Sequence, residues 1–339
     1  MLIQIASIHQ LSMWFRQTPG GDGVWEDVRY TFEDVGAEAD WLVVYDEAPP
    51  GFVARVPHDR RILFLSEPRT IKRYPARCLA QFGRALSISE QPGYQGRIFH
   101  GNPALPWFYG LDINNPKGPQ NYLHWDALEA ADKTDRPERG EISVVCSTKT
   151  MNLNQHRRLR FLHMLKDRLG ERLTIFGRGF QPIEDKAEGI DGFRYHLVLE
   201  NNLLEHGWTE KLADPIIGGA FPIVSGGALE SYFDPVGYRS IDTTRPREAV
   251  DTVERILDED PAANARDAMA ENKRRLMREH NFFEVCRRIA LADPAPSAKA
   301  PAEEVLIAPR RSRMDKVFST PKVLRKPLRR LYLATMERS

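Results

Sequence analysis

Apolar residues in the first hundred positions come in short unbroken runs instead of alternating with polar ones. Leu2–Ile8, Trp41–Tyr45 and Arg61–Ser66 each stop at polar, Gly or Pro punctuation, and Ala85–Ser89 and Gly96–His100 are weaker versions of the same pattern. Runs without a polar face predict strands covered on both sides, hence a parallel sheet in an α/β domain. From Leu111 to Gly140 the texture changes, and Pro, Gly and charge accumulate as at a domain boundary. Glu141–Cys146 then restarts the alternation, with a helix predicted over Asn154–Leu169 and strands over Leu173–Phe176, Tyr195–Leu199 and Phe221–Val224. Between the last two strands a helix should open at Thr209, and Arg247–Asp258 and Ala262–Glu279 predict helices that close the second domain. The pattern divides the chain into residues 1–135, residues 136–293, and a Pro/Ala linker with a tail over 294–339.

Composition narrows the class without naming it. The 339 residues are 42% hydrophobic and 28% charged, which suits a soluble globular chain of two domains. A net charge of +1 argues against a general nucleic-acid binder, whose affinity would come from many phosphate contacts. The basicity is local: from Arg310 onward there are ten Lys and Arg residues against Asp315 and Glu337. A helix opening at Pro327 would set Leu328, Leu331 and Tyr332 on one side and Arg329 and Arg330 on others, which suits an anionic membrane surface; a solvated tail is the competing expectation. Cys78, Cys146 and Cys286 have neither metal spacing nor the look of a disulfide framework, and no stretch approaches the ~20 apolar residues that span a bilayer. The expectation is a cytoplasmic protein, peripheral at the inner face of the membrane if the tail binds there.

Chemistry concentrates at predicted strand ends, where open α/β sheets bind ligands. Glu200 and Asn201 emerge after the strand ending at Leu199, and Thr209 is a natural N-cap for a helix that begins Glu210-Lys211. A lysine in a first helical turn opposes the macrodipole, and a bound anion would give it a reason to be there. Pro215 should kink this helix or restart it with Asp214 as cap. Gly177-Arg178-Gly179 is a fragment of a phosphate loop, and Ser225-Gly226-Gly227 allows close approach of a nucleotide or simply a turn. Trp14, Trp25 and Trp107 could stack on sugars, with core burial as the default. No two histidines have helical ligand spacing; His156 and His163 share a helix but point to packing, and Asp258-Glu259-Asp260 reads as a solvated helix end.

The run LENNLLEHGWTEKLADPIIGGAFPIVSGG resembles the C-terminal signature of the α1,3-fucosyltransferases, glycosyltransferase family 10, of bacterial type. Leu-Glu-Asn, Thr-Glu-Lys, an apolar helix and the strand containing Pro222 follow in the family's order, while Gly207 and Trp208 depart from its aromatic and valine. SVVCSTKTMNLNQHRRLRFLHML is similar to the family's strand, loop and helix carrying a phosphate-binding arginine, matched best by Arg158, with Arg157 its neighbour. RILFLSEPRT resembles the family's strand that ends in the proposed general base. The resemblance implies a GT-B-like α/β fold, two Rossmann-like domains with parallel sheets facing a central cleft. It further implies inverting, metal-independent transfer of fucose from GDP-fucose to a GlcNAc-type hydroxyl of a surface polysaccharide or lipopolysaccharide, without a cofactor. Glu67 would be the base with Glu90 in reserve; Arg158 and Lys211 would hold the diphosphate, Asn201 and Glu210 the donor hydroxyls, and Glu200 a structural place beside them. A different donor such as GDP-mannose, or a non-catalytic sugar- or nucleotide-binding protein, is the alternative.

Overall fold

In the computed structural model, residues 1–9, 12–69, 71–115, 120–131, 139–148, 153–292 and 304–310 are described. Strands β1 (Leu2–Ala6), β2 (Val24–Trp25), β3 (Val28–Thr31), β4 (Trp41–Tyr45), β5 (Val53–Ala54), β6 (Arg61–Leu65), β7 (Arg84–Ser87) and β8 (Arg97–His100) occupy the first third. Seven of them form one sheet in the order β2-β3-β1-β4-β6-β7-β8. All its pairings are parallel except the short β2–β3 hairpin. Every residue of β4 and β6 is buried, as the unbroken apolar runs predict for strands covered on both faces. Helices are scarce here: α1 (Ala76–Leu79) and α2 (Trp125–Ala130) are the α-helices among the described residues before 139.

The second sheet is built from β9 (Gly140–Val145), β10 (Leu173–Phe176), β11 (Phe193–Leu199), β12 (Phe221–Ser225) and β13 (Arg239–Ser240), all parallel, in the order β10-β9-β11-β12-β13. Its helices are α3 (Leu153–Leu169), α4 (Glu210–Gly218), α5 (Pro246–Glu259) and α6 (Arg266–Arg274), the last running into a π turn at Arg275–Glu279. These are the two parallel α/β sheets of a GT-B-like arrangement, and the strands predicted for the second sheet fall within two residues of the observed ones; β13 is not among them, and the helix expected from Ala262 begins at Arg266. Helix α4 differs from expectation inside: it runs through Pro215 without a break and ends on Gly219 at φ 77°. Asp214 does not cap it. Its carboxylate reaches out of the helix to the chain between the sheets, accepting from the backbone N–H groups of Phe108 and Tyr109 at 2.8 and 2.9 Å.

Two segments return from the second half to the first sheet. Helix α7 (Phe282–Leu291) sets Phe282 and Phe283 against Trp14, Tyr30, Tyr45 and Phe64. The Tyr30 hydroxyl donates to the Phe283 carbonyl at 2.6 Å. After the linker, β14 (Val305–Leu306) pairs antiparallel with β5, and Arg310 Nε lies 2.9 Å from a Glu47 carboxylate oxygen. The basic amphipathic segment expected beyond Arg310 lies outside the described residues. Among those described, no helix is long and apolar enough to cross a membrane. Trp14, Trp25 and Trp107 are all core residues, 4%, 4% and 1% exposed.

Candidate active site

Strand β11 ends at Leu199, and the backbone of Glu200 still donates to Ser225 on β12 at 2.9 Å. The Glu200 carboxylate is buried and accepts from Thr209 twice, from the backbone N–H at 2.7 Å and from the hydroxyl at 2.9 Å. Thr209 in turn caps α4, its hydroxyl oxygen accepting from Lys211 N–H at 3.3 Å. Glu200 thus ties the sheet edge to the helix start. The first-turn lysine has local reasons to be there: Lys211 Nζ lies 3.1 Å from Glu210 and 3.8 Å from Glu200. Burial alone would raise the Glu210 carboxyl, but Lys211 and Lys186 outweigh it and hold the group well below the usual carboxylate range. Glu200 goes the other way, pushed up by burial that Lys211 only partly offsets. Lys211 thus stands between a carboxyl held low, Glu210, and one pushed up by burial, Glu200.

The loop between strand and helix is held by close backbone approach. A Cβ on Gly227 would stand 1.9 Å from the Leu204 carbonyl oxygen, so only glycine lets β12's following turn pass under the loop. A Cβ on Gly207 would stand 2.1 Å from Asn202 Oδ1 and 3.1 Å from the Leu204 carbonyl oxygen, so the Asn202 side chain would have to move to admit one. Trp208 is a wedge, 3% exposed, with Tyr232 and Phe233 rings at 5.6 and 5.4 Å. From the first half of the chain, the Asn102 side chain donates to the His206 and Trp208 carbonyls at 3.0 and 2.6 Å. The loop is locked between the two sheets.

Two cavities meet at the start of α4. One, about 540 Å³, lies between the sheets: Ser66, Glu67 and Pro68 after β6 face Asn201, Gly207, Trp208, Glu210 and Lys211. The other, about 960 Å³, lies over the C-terminal ends of β9 and β10 and is lined by Ser147, Arg158, Gly177-Arg178-Gly179, Phe180, Ile183, Lys186, Glu210 and Lys211. Glu210 and Lys211 are walls of both. Arg158, buried on α3, donates to Asn201 Oδ1 at 2.9 Å and to the Ser147 carbonyl at 3.3 Å, while its Nε is buried without a partner. That cation reaches one chamber directly and the other through Asn201. A further cavity of about 540 Å³, behind α4 and lined by Ile216, Ile217, Met269 and Met277, shares none of these groups.

The structure brings Glu67, Arg158, Asn201, Glu200, Glu210 and Lys211 to one junction, drawn from both sheets. Glu67 is exposed to the cleft, and burial by the surrounding protein followed by the Asp46 charge pushes its carboxyl above the ordinary value. Glu90 is not brought there: its side chain is 83% exposed, 3.3 Å from His100, and does not line the cleft. Arg157 is exposed where Arg158 is buried. Asp258 and Asp260 end α5 in ion pairs with Arg172 and Arg194. Among the described residues, no cluster of three or more His, Cys, Asp or Glu is placed to hold a metal ion.

Lys186 escaped the sequence reading. It lines the larger chamber, reaches Asp214 at 2.8 Å and Glu210 at 3.6 Å, and sits 5.0 Å from the centre of the Phe108 ring. A signal was present: Asp185-Lys186-Ala187-Glu188 is a capping box, which fixes a helical turn with Lys186 at its first position.

No protein-family description and no curated protein matches the chain. Among solved structures it is similar to an α1,3-fucosyltransferase with GDP, at 16% identity over 80% of this chain and 82% of that one, with a TM-score of 0.46. A structure of an α1,3-fucosyltransferase with GDP-fucose gives 16% identity, 80% and 82% coverage and a TM-score of 0.45. A glycosyltransferase from Rickettsia africae ESF-5 gives 10% identity over 85% of this chain and 96% of that one, with a TM-score of 0.39. The fold itself stands on the two parallel sheets and the cleft between them.

Proposed function

We propose that the chain is an inverting, metal-independent glycosyltransferase that moves fucose from GDP-fucose to a GlcNAc-type hydroxyl of a surface polysaccharide or lipopolysaccharide glycan. The observation that carries this reading is the junction itself: a carboxylate with a raised pKa from one sheet, Glu67, faces the Glu210–Lys211–Arg158 cluster of the other across a single cleft.

In this reading the nucleotide occupies the larger chamber, with its diphosphate against Arg158 and Lys211. Arg158 offers a planar fork and Lys211 a point charge, and both stabilise the negative charge that gathers on the leaving diphosphate. Asn201, held by Arg158, and Glu210 accept or donate to the donor sugar's hydroxyls. The acceptor enters the smaller cavity, where the Glu67 carboxylate takes the hydroxyl proton as the acceptor oxygen attacks C1. The C1–O bond to the diphosphate breaks as the new bond forms, and a single displacement inverts the anomeric centre. Glu67 suits a base because its proton is held more tightly than an ordinary glutamate's, so the carboxylate is a stronger acceptor once ionised.

A panel of donors (GDP-fucose, GDP-mannose and UDP-linked sugars) assayed with EDTA present tests the reading. Transfer from GDP-fucose that survives EDTA supports it. Transfer only from another donor keeps the chemistry and replaces the sugar. Donor binding without turnover by any donor leaves the non-catalytic alternative.

A further inference from the structure

The first sheet reverses direction between β1 and β4: the chain leaves β1 for β3 on one side and returns to β4 on the other. In open α/β sheets the crevice at such a switch point, beyond the C-terminal strand ends, is where ligands bind. Two residues meet there. His9, just past β1, has its Nε2 3.0 Å from Asp46 Oδ2, just past β4. Asp46 is buried, its side chain 5% exposed, and it holds φ 65°, a left-handed conformation uncommon outside glycine. It also accepts from Lys72 Nζ at 2.6 and 2.7 Å and from the Tyr74 hydroxyl. Lys72 and Tyr74 already satisfy this carboxylate. A third donor from a half-exposed imidazole, 51% open to solvent, adds little to the core.

The carboxylate instead fixes the ring. In the neutral tautomer that donates Nε2–H to Asp46, the imidazole carries its lone pair on Nδ1, where it can accept from a hydroxyl. Backbone pairing keeps Asp46 beside β6, its N–H donating to the Phe64 carbonyl at 2.9 Å, and Glu67 follows that strand. His9 and Glu67 therefore follow strands β1 and β6, which lie two positions apart in the sheet, about 10 Å between strand axes.

We propose that His9, oriented by Asp46, binds a hydroxyl of the acceptor saccharide, so that the acceptor lies along the strand ends from β1 to β6 with its reacting hydroxyl at Glu67. This rests on the glycosyltransferase reading, and the test separates the two. Imidazole resonances of His9 in the full chain, assigned by their loss in H9Q, are followed while methyl β-N-acetylglucosaminide is titrated to saturation, and acceptor KM is measured with GDP-fucose. The expected result is a shifted Nδ1 resonance and an acceptor KM raised about fivefold or more in H9Q, the loss of one neutral hydrogen bond, with donor KM moving less than twofold. H9N, whose amide overlays Nδ1, should recover more than H9Q, whose amide overlays Nε2. A resonance unmoved at saturation, or an H9Q acceptor KM within twofold of wild type, overturns the proposal. A shifted resonance in a chain that turns over no GDP-fucose supports the subsite and removes the donor reading instead.

Discussion

Replacing Asp214 by Ala should loosen the joint between the sheets more than any single change at the cleft surface. One carboxylate oxygen, Oδ1, accepts from the N–H groups of Phe108 and Tyr109 at 2.8 and 2.9 Å, and the other takes Lys186 Nζ at 2.8 Å. Asp214 is 1% exposed, so nothing from solvent can substitute. Removing one partner of a buried ion pair costs about 3–5 kcal/mol. Lys186 keeps Glu210 at 3.6 Å and the Phe108 ring, which argues for the lower end, and two orphaned amides restore part of the difference. We expect about 3–4 kcal/mol for D214A. At roughly 2–4 °C per kcal/mol for domains of 150–250 residues, Tm should fall by roughly 6–16 °C. D214N keeps an oxygen for both amides but turns an amide N–H donor toward Lys186, so it should retain only part of the stability that D214A loses. Thermal unfolding followed by tryptophan fluorescence reads both. A D214A Tm within 2 °C of wild type would refute the reasoning, because it would mean the buried carboxylate anchors nothing.

Burial raises the Asp214 carboxyl, and Lys186 lowers it again. In K186M the raised folded pKa loses its main offset; a carboxyl raised on folding adds stability below its unfolded pKa that is lost as pH rises through the folded one, so K186M should lose more Tm at pH 8 than at pH 5. The acid limb of the pH–rate profile should report a group above the ordinary glutamate value, and K72M, which removes a cation that lowers Glu67, should move that limb to higher pH. G227A must displace the Leu204 carbonyl and the loop that walls the cleft, so acceptor KM should rise severalfold in steady-state assays. R158A should weaken GDP binding by roughly 10- to 100-fold by calorimetry, the loss of charge-assisted hydrogen bonds.

The second sheet was legible because its elements are locally specified. Thr209 caps, Gly219 terminates, and the unbroken runs on either side can only be buried strands. Those same runs put Glu200, Asn201, Glu210 and Lys211 at one edge before any coordinates are needed. What stayed hidden depends on contacts distant in sequence. Asp214 reads as a cap for Pro215, yet its partners are 105 and 106 residues away. Helix α7 falls within the span 136–293 assigned to the second domain, yet the aromatic surface of Tyr30, Tyr45 and Phe64 draws it back to the first sheet. His9 has no motif around it, and its orientation comes from Asp46, on a neighbouring strand end. Glu90 lies away from the cleft for a local reason: it sits in the loop past β7, where the chain turns it to solvent.

The most direct test is Glu67→Gln, which keeps the shape of the side chain and removes its capacity to take a proton. With GDP-fucose and a GlcNAc-type acceptor, transfer should fall at least 100-fold, in line with the contribution of a general base, while GDP affinity by calorimetry stays within twofold of wild type. An E67Q chain that transfers at close to the wild-type rate would contradict the assignment of the cleft carboxylate as base.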